Sequence, residues 1–157
     1  MSVVHVVRHA KAKNRAEWTE PDNLRPLTKR GRRQAQALAE RFREDPPARL
    51  VSSPYARCIE TLDALARALE LPIETTELLK EGAEGVRALD LVLSLGAEEP
   101  VVCCTHGDVL FDIMREVTAS GVTADGPLDA PVAGTWALDV VAGRIVGALF
   151  LERPATD

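Results

Sequence analysis

The sequence predicts a three-layer α/β/α fold with a mainly parallel central sheet. Three observations lead to this prediction: short apolar runs typical of buried strands, segments whose apolar residues recur at helical spacing, and the alternation of the two along the chain. The chain has 157 residues, of which 46% are hydrophobic, enough for one domain with a sizeable core. We assign residues 1–152 to this single domain and residues 153–157 to a tail that we expect to be frayed.

The first predicted strand covers residues 3–8 and is followed by a loop over residues 10–27. Loops of this length are uncommon in compact domains and are often functional. Thr28 is a suitable N-cap for a helix that runs to about residue 45, where two prolines end it. The helix is indicated by an apolar stripe of Ala35, Leu38, Ala39 and Phe42. A second strand follows at residues 48–52.

The middle of the chain begins with a second helix. Ser53 is a suitable N-cap and Pro54 fits the first helical position, so we expect this helix to run from there to about Glu70. A short strand over residues 72–75 and a loop over residues 76–83 follow it.

The remaining segments complete the alternating pattern. They are, in order, a helix over 84–95, a strand over 100–105, a helix over 107–118, a loop over 119–133, and strands over 135–141 and 144–151. Gly96 ends the first of these helices. Ala142 and Gly143 lie between the last two strands, which therefore form a hairpin.

Charge and composition limit the classes of partner. The net charge of −5 provides no general attraction to nucleic acid or to an anionic membrane surface. No apolar run is long enough to span a membrane, and no secretory signal precedes the first strand. Cys103 and Cys104 lie inside an apolar run and are expected to be small buried strand residues, which fits a reducing cytoplasm. We therefore expect a cytoplasmic protein with neither a nucleic-acid nor a membrane partner.

Basic side chains and histidines follow three of the predicted strands. Arg8 and His9 end the first strand, Arg57 lies in the first helical turn after the second, and His106 and Gly107 follow the strand over residues 100–105. If these strands are parallel in one sheet, their carboxyl ends lie together and the side chains converge on one crevice. Two imidazoles and two guanidiniums suit a dianionic phosphate and nucleophilic transfer onto histidine.

Each of these residues also has a simpler interpretation. His9 alone could be a surface histidine, His106 and Gly107 could form an ordinary strand–helix junction, and Arg57 could be a solvated arginine. Yet a cation in the first turn opposes the helix dipole, and a bound anion would explain its placement. We expect Arg57 to lie at the surface of the site. Gly107 would let the backbone approach a ligand closely.

Residue spacing argues against several other kinds of site. A cysteine-dependent phosphatase has an arginine at a fixed distance after its cysteine, and the corresponding positions here are Ala64, Val109 and Leu110. The sequence has no Walker loop, no G-x-G-x-x-G and no G-x-S-x-G motif. Its three histidines lack the spacing of metal ligands, so we expect neither a metal nor another cofactor.

Four segments together resemble a known family. They are Val7–Ala10, Leu27–Ala35, Ser52–Thr61 and Thr105–Gly107, and they occur in the family's order. On these segments the chain resembles the histidine phosphatase superfamily, the phosphoglycerate-mutase-like group. Residues 8–12 and 25–28 are most similar to small phosphohistidine phosphatases, and equally to the phosphatase domain fused to some Nudix hydrolases. The resemblance implies a phosphoglycerate-mutase-like fold.

The resemblance also implies a role for each matching residue. His9 would be the nucleophile that forms a phosphohistidine intermediate. Arg8, Arg57 and His106 would bind the phosphoryl group.

The resemblance implies two further site residues less directly. Glu81 lies where the family has its proton donor, with Glu77 and Glu84 as nearby alternatives. Asn14 is the nearest match to an asparagine that contacts phosphate in many relatives, although it lies one residue short of the common position.

The leading functional hypothesis is a metal-independent phosphatase that hydrolyses a phosphomonoester or phosphohistidine. The alternatives are a phosphotransferase or mutase with the same intermediate, and a non-catalytic phosphate-binding module. The chain has little room for a lid beyond residues 10–27 and 119–133. A shallow site of this kind suits a phosphoprotein or a phosphorylated small molecule as the substrate.

Overall fold

The computed structural model describes residues 2–156. The first residue of the predicted domain, Met1, and the last residue of the predicted tail, Asp157, lie outside the described residues. The elements follow one another as β1 (Ser2–Arg8), α1 (Lys29–Arg43), β2 (Arg49–Ser52), α2 (Ala56–Leu69), β3 (Ile73–Thr75), α3 (Gly85–Leu95), β4 (Val101–Thr105), α4 (Gly107–Ala119), β5 (Thr135–Val141) and β6 (Arg144–Leu151). None of the helices within the described residues combines the length and apolarity needed to cross a membrane.

The six strands form one sheet in the order β3-β2-β4-β1-β5-β6. The first four strands in this order run parallel, and β5 and β6 are antiparallel additions that form the predicted hairpin. Arg8 is in register with Thr105, and Ser52 is in register with Cys104. The carboxyl ends of β1, β2 and β4 therefore lie side by side, as the predicted parallel sheet requires.

Each face of the sheet is covered by a pair of helices. Strand β4 is wholly buried, and its successive side chains point to opposite faces. Val102 and Cys104 pack in the core formed with α1 and α2, whereas Val101 and Cys103 pack in the core formed with α3 and α4. These two cores confirm the three-layer prediction. Burial raises the pKa of Cys103 to about 12, which keeps the thiol protonated and unreactive.

The start of α2 differs from the prediction. The helix begins at Ala56, with Tyr55 as its N-cap residue, rather than with Ser53 as N-cap and Pro54 in the first turn. The Ser53 oxygen still accepts a hydrogen bond from a nearby backbone N–H, that of Tyr55 (3.2 Å), and the hydroxyl also contacts Nε2 of His106 (2.8 Å). This serine therefore combines a local bond with a tertiary contact that the local sequence does not indicate.

Two of the predicted loops contain short regular pieces. Residues 10–27 include a 3₁₀ turn at Asp22–Leu24 and an isolated bridge between Ala12 and Leu27, and residues 76–83 include a 3₁₀ turn at Glu77–Leu79. These pieces are too short to give a periodic signal in the sequence.

The loop after β1 is held against the first turns of α1. The Lys11 N–H donates to Oε1 of buried Gln34 (2.9 Å), and the Lys11 carbonyl accepts from the Thr28 N–H (3.0 Å). Thr28 caps α1 as predicted, because its hydroxyl accepts from the Gly31 N–H (3.0 Å). A Cβ atom at Gly31 would lie 2.0 Å from the Lys11 carbonyl oxygen, so only glycine permits this approach.

We therefore expect Gly31→Ala to destabilise the protein by about 3 kcal/mol, because the methyl group must displace a backbone carbonyl. Helix propensity alone would predict the opposite sign, since alanine is favoured over glycine by about 1 kcal/mol. Urea unfolding followed by circular dichroism measures the difference. The matched control is Arg33→Ala, an exposed position on the same helix, which should change stability by less than about 0.5 kcal/mol. Equal stability of the two variants would contradict the steric argument.

Candidate active site

The carboxyl ends of β1, β2 and β4 bring the predicted basic side chains together. The rings of His9 and His106 meet edge to face, with their centroids 5.5 Å apart. A cavity of about 420 Å³ opens above them, and the residues that line it include Arg8, His9, Arg15, Arg25, Glu81 and Gly107. Arg57 borders the same group, with Nη2 3.5 Å from Oε1 of Glu81.

His9 is held as a neutral, oriented imidazole. Its Nδ1 lies 2.7 Å from the Ala10 carbonyl oxygen, which can only accept, so Nδ1 carries the hydrogen and Nε2 keeps a free lone pair. The Ala10 N–H in turn donates to Thr61 (2.9 Å), which ties this backbone to α2. Burial lowers the pKa of His9 to about 4; the Ala10 bond acts in the opposite direction, and the nearby cations of Arg57 and Arg8 add to the lowering. The ring is therefore unprotonated at neutral pH.

His106 presents a donor to the same space. It is the N-cap residue of α4 and is buried, with Nε2 2.8 Å from the Ser53 hydroxyl oxygen. The Ser53 hydroxyl can donate its hydrogen to Nε2, and in that arrangement the ring hydrogen lies on the unpartnered Nδ1. Burial lowers the pKa of His106 to about 3, with smaller contributions from His9 and Arg57. His106 is therefore a neutral donor.

Arg8 is fixed by the start of α4. Its Nη1 donates to the Ala130 carbonyl (2.7 Å), and its guanidinium packs against Gly107. A Cβ atom at Gly107 would be 2.9 Å from Cζ of Arg8. Gly107 is the first residue of α4, and its lack of a side chain makes room for the Arg8 side chain.

Arg57 is completely buried, which corrects the expectation that it lies at the surface of the site. Its Nη1 donates to the Asp22 carbonyl (2.9 Å) and its Nη2 to the Asp22 carboxylate (3.0 Å). The unfavourable position of a cation at a helix start is offset by this acidic partner, which comes from the long loop. Burial would raise the pKa of Asp22, but the bond from Arg25 and the charge of Arg57 hold it below its usual value. Removing Arg57 would therefore affect folding as well as binding.

Three buried nitrogen donors in the site have no hydrogen-bond partner within the described chain. They are Nε of Arg8, Nε of Arg57 and Nδ1 of His106. A buried donor without an acceptor costs free energy, so three of them on neighbouring side chains, of which Arg8 lines the cavity, are consistent with a ligand rich in oxygen. A phosphoryl group supplies three such oxygens and the negative charge that two guanidiniums favour.

Of the three candidate proton donors, Glu81 alone lines this cavity. Its Oε1 accepts from Nη2 of Arg15 (2.7 Å) and lies 3.5 Å from Nη2 of Arg57. Glu77 and Glu84 line a separate cavity beside α3, where Glu77 pairs with Lys80 at 3.5 Å. The structure thus brings one carboxylate to the histidines and separates the other two from them.

Asn14 is not placed among the residues of this cavity. It is exposed, and its Oδ1 accepts from the Ala16 N–H (2.9 Å) in a local turn. Sequence reasoning missed Arg15, Asp22 and Arg25, which supply most of the charge around Arg57 and Glu81. Arg25 lies in the matching segment of residues 25–28, which did not indicate its role, and the signal for Arg15 and Asp22 was the unusual length of the loop over residues 10–27.

We expect the free energy of unfolding to fall as the pH falls from 6.5 towards 4. The pKa of His9 is about 4 in the folded protein against 6.5 for a free histidine, so the unfolded chain binds more protons in this range. The free energy of unfolding is unaffected by His9 protonation above pH 6.5. At pH 5 it should be lower by on the order of 2 kcal/mol, because His9 is protonated in the unfolded chain but not in the folded protein. Urea unfolding across this range measures it. The His9→Asn variant should show a shallower pH dependence, and an unchanged slope would contradict the assignment.

Comparison with known proteins agrees with the geometry. The model of the histidine phosphatase superfamily (branch 1) matches residues 4–87, more than half of the chain. An 8-oxo-(d)GTP phosphatase of Mycolicibacterium smegmatis is 31% identical over 156 residues, which cover 96% of this chain and 48% of that protein. The chain spans about half the length of the curated relatives that it matches.

Solved structures share the fold along most of the chain. SixA from Agrobacterium tumefaciens has a TM-score of 0.70 and 26% identity, covering 88% of this chain and 91% of its own. The protein histidine phosphatase SixA complexed with tungstate has a TM-score of 0.74 at 18% identity, covering 98% and 96%. A phosphoserine phosphatase of Entamoeba histolytica has a TM-score of 0.72 at 14% identity, covering 93% and 94%. This chain therefore belongs to the histidine phosphatase superfamily, with the small SixA-type proteins among its structural neighbours.

Proposed function

We propose that this protein is a phosphatase that hydrolyses a phosphomonoester or a phosphohistidine through a phosphorylated His9. One observation carries the proposal: a neutral histidine with a free Nε2 lines the cavity together with Arg8, and buried nitrogen atoms of Arg8 and of the neighbouring Arg57 and His106 have no hydrogen-bond partner in the described chain. A nucleophile and a set of donors for phosphoryl oxygens are the two components that phosphoryl transfer to histidine needs. The family relationship and the phosphatases among its relatives support the same reaction class.

In the first step, Nε2 of His9 attacks phosphorus while the bond from phosphorus to the leaving group breaks. Negative charge on the phosphoryl oxygens is met by Nε of Arg8, Nε of Arg57 and Nδ1 of His106. Because these donors are already positioned in a buried site, little reorganisation is needed when the transition state forms.

In the second step, water attacks the phosphohistidine and releases inorganic phosphate. Glu81 lines the cavity with His9, and we assign it both proton transfers: to the leaving group in the first step and from water in the second. No metal is required in this scheme, and within the described residues no three His, Cys, Asp or Glu side chains lie close enough to hold one. A mutase would differ only in using an alcohol instead of water as the acceptor.

The covalent intermediate is directly testable. Brief incubation with a ³²P-labelled phosphoester or phosphohistidine peptide should leave acid-labile, base-stable label on His9, with EDTA present throughout. His9→Ala should carry no label. His5→Gln is the matched control, because His5 lies on the same strand but packs against Phe42, and it should retain the label. Two results would overturn the mechanism. One is label on serine or cysteine, and the other is turnover that EDTA abolishes and a divalent ion restores. Label transferred to an added alcohol rather than to water would indicate a mutase.

The role of Glu81 depends on the leaving group. We expect Glu81→Gln to slow hydrolysis of alkyl phosphates by about 10²- to 10⁴-fold, because an alkoxide needs a proton to leave. Phosphorylation of His9 by nitrophenyl phosphate should be affected far less, and the phosphoenzyme should accumulate since water activation is weakened. Rapid-quench kinetics separates the two steps. Glu77→Gln and Glu84→Gln, in the neighbouring cavity, are the controls and should behave like the unmodified protein. Equal, small effects on all substrates would remove Glu81 from the mechanism.

A further inference from the structure

A second cavity, of about 560 Å³, adjoins the candidate active site. The residues that line it include Lys11, Ala12, Lys13, Glu17 and Trp18, which come from the loop after β1. Lys11 and Ala12 also line the cavity above His9, so the two cavities share a wall. The reaction proposed above needs only the first cavity, which leaves the second without a role. Its volume lies within the usual range for small-molecule sites.

Trp18 supplies an aromatic surface in this second cavity. Its indole Nε1 donates to the Pro21 carbonyl (3.1 Å), which fixes the ring, while the side chain remains only half-buried. The other tryptophan, Trp136, is completely buried in the core. A fixed and accessible indole is a suitable platform on which a flat ring can stack.

Positive charge surrounds the indole. The Lys13 ammonium lies over the Trp18 ring, 5.9 Å from its centroid, and Lys11 lines both this cavity and the catalytic cavity. Among the described residues, neither lysine is within 4.0 Å of a carboxylate. Both ammonium groups are exposed and available to an anion. Glu17 adds one carboxylate to the lining, which can accept from N–H groups on a ligand.

The two adjoining cavities together offer three kinds of group: His9 lines the first, Lys11 lines both, and Trp18 lines the second. A nucleoside diphosphate has three parts that match them: a terminal phosphoryl group, a second phosphate and a planar base. A small alkyl phosphate or a phosphohistidine side chain has no part that would occupy the indole.

We propose that the cavity beside Trp18 binds the leaving group of the substrate and that the preferred substrates are nucleoside diphosphates. The inference rests on the proposed phosphatase function and specifies its substrate class. Nε2 of His9 forms a bond to the terminal phosphorus, and the bond from that phosphorus to the bridging oxygen breaks. The nucleoside monophosphate departs with the electron pair. Water then releases inorganic phosphate and restores the His9 lone pair, its proton passing to Glu81 and on to solvent.

A nucleoside diphosphate also has little need of a general acid in the first step. The departing phosphate has a final pKa of about 6, so it leaves without being protonated near neutral pH. Lys11, at the junction of the two cavities, stabilises the charge that develops on it. Glu81→Gln should therefore slow the attack on a nucleoside diphosphate much less than the attack on an alkyl phosphate.

The kinetic test compares ADP and GDP with inorganic pyrophosphate, which has the same phosphoanhydride bond but no base. Trp18→Ala should lower kcat/KM for the nucleoside diphosphates about tenfold or more, mainly through KM, and leave pyrophosphate hydrolysis unchanged. Trp18→Phe keeps an aromatic face and should restore most of the loss. Lys11→Ala should impair ADP and GDP, whereas Arg144→Ala, which removes one charge at the opposite end of β1, should not.

A binding test uses the His9→Ala protein, which cannot turn over its ligand. ADP should quench the tryptophan fluorescence, and the quench should disappear when Trp18 is also replaced by phenylalanine. Trp136 remains as the unquenched background because it is buried. Pyrophosphate should produce no quench.

The outcomes separate the two proposals. If His9 is phosphorylated by other esters but ADP and GDP are hydrolysed no faster than pyrophosphate, the leaving-group subsite is wrong and the phosphatase function stands. If Trp18→Ala lowers kcat/KM equally for all substrates, the proposed subsite is also wrong. If no substrate phosphorylates His9 yet ADP still quenches Trp18, the phosphatase function is wrong and the cavity is a nucleotide site only. If hydrolysis of a phosphohistidine protein depends on Trp18 more strongly than hydrolysis of ADP does, the cavity binds a protein partner instead.

Discussion

The guanidinium of Arg57 is buried at the start of α2, where the helix dipole opposes a positive charge, and its pairing with Asp22 organises the surrounding site. Asp22 accepts from Arg57 through both its backbone carbonyl and its carboxylate, and it also accepts from Nε of Arg25. Arg25 in turn donates to the Lys13 carbonyl (2.6 Å). The long loop after β1 is therefore attached to the helix that carries the phosphate-binding arginine, and the position of one depends on the other.

This arrangement places guanidiniums beside both histidines while the two rings stay neutral. Burial lowers the pKa of His9 and of His106 well below 6.5, and the adjacent guanidiniums act in the same direction. A protonated His9 could not attack phosphorus, because its lone pair would be occupied. The arginines thus have two effects: they attract an anion and they keep the nucleophile in its reactive form. The backbone bond from Nδ1 of His9 to Ala10 then directs Nε2 into the cavity.

In the reaction that we propose, the same loop would link catalysis to the choice of substrate. Its first part, held against α1 through Lys11 and Gln34, forms the wall shared by the two cavities. Its middle part presents Trp18, and its last part supplies Asp22, which pairs with Arg57. A substrate bound as we propose would therefore contact, through its leaving group, the same segment that positions Arg57.

The sequence by itself determined the fold class, the order of elements and the residues at the strand ends. Apolar alternation and helical spacing are local patterns, and a parallel sheet places the ends of its strands together whatever the loops do. For this reason Arg8, His9, Arg57 and His106 could be grouped in advance. The contact between Ser53 and His106 could not be predicted, because the two residues lie 53 positions apart in the chain.

Only the tertiary structure decided which carboxylates and which loop residues meet the histidines. Glu81 was one of three candidates with similar local sequence, and it reaches the cavity through a contact with Arg15 across 66 residues. Asp22 pairs with Arg57 across 35 residues, which buried an arginine that a helical position alone would expose. Trp18 lies in an aperiodic loop, and nothing in its neighbours along the chain indicates that its ring would face a second cavity. Such contacts depend on where distant segments pack, and no local pattern records that.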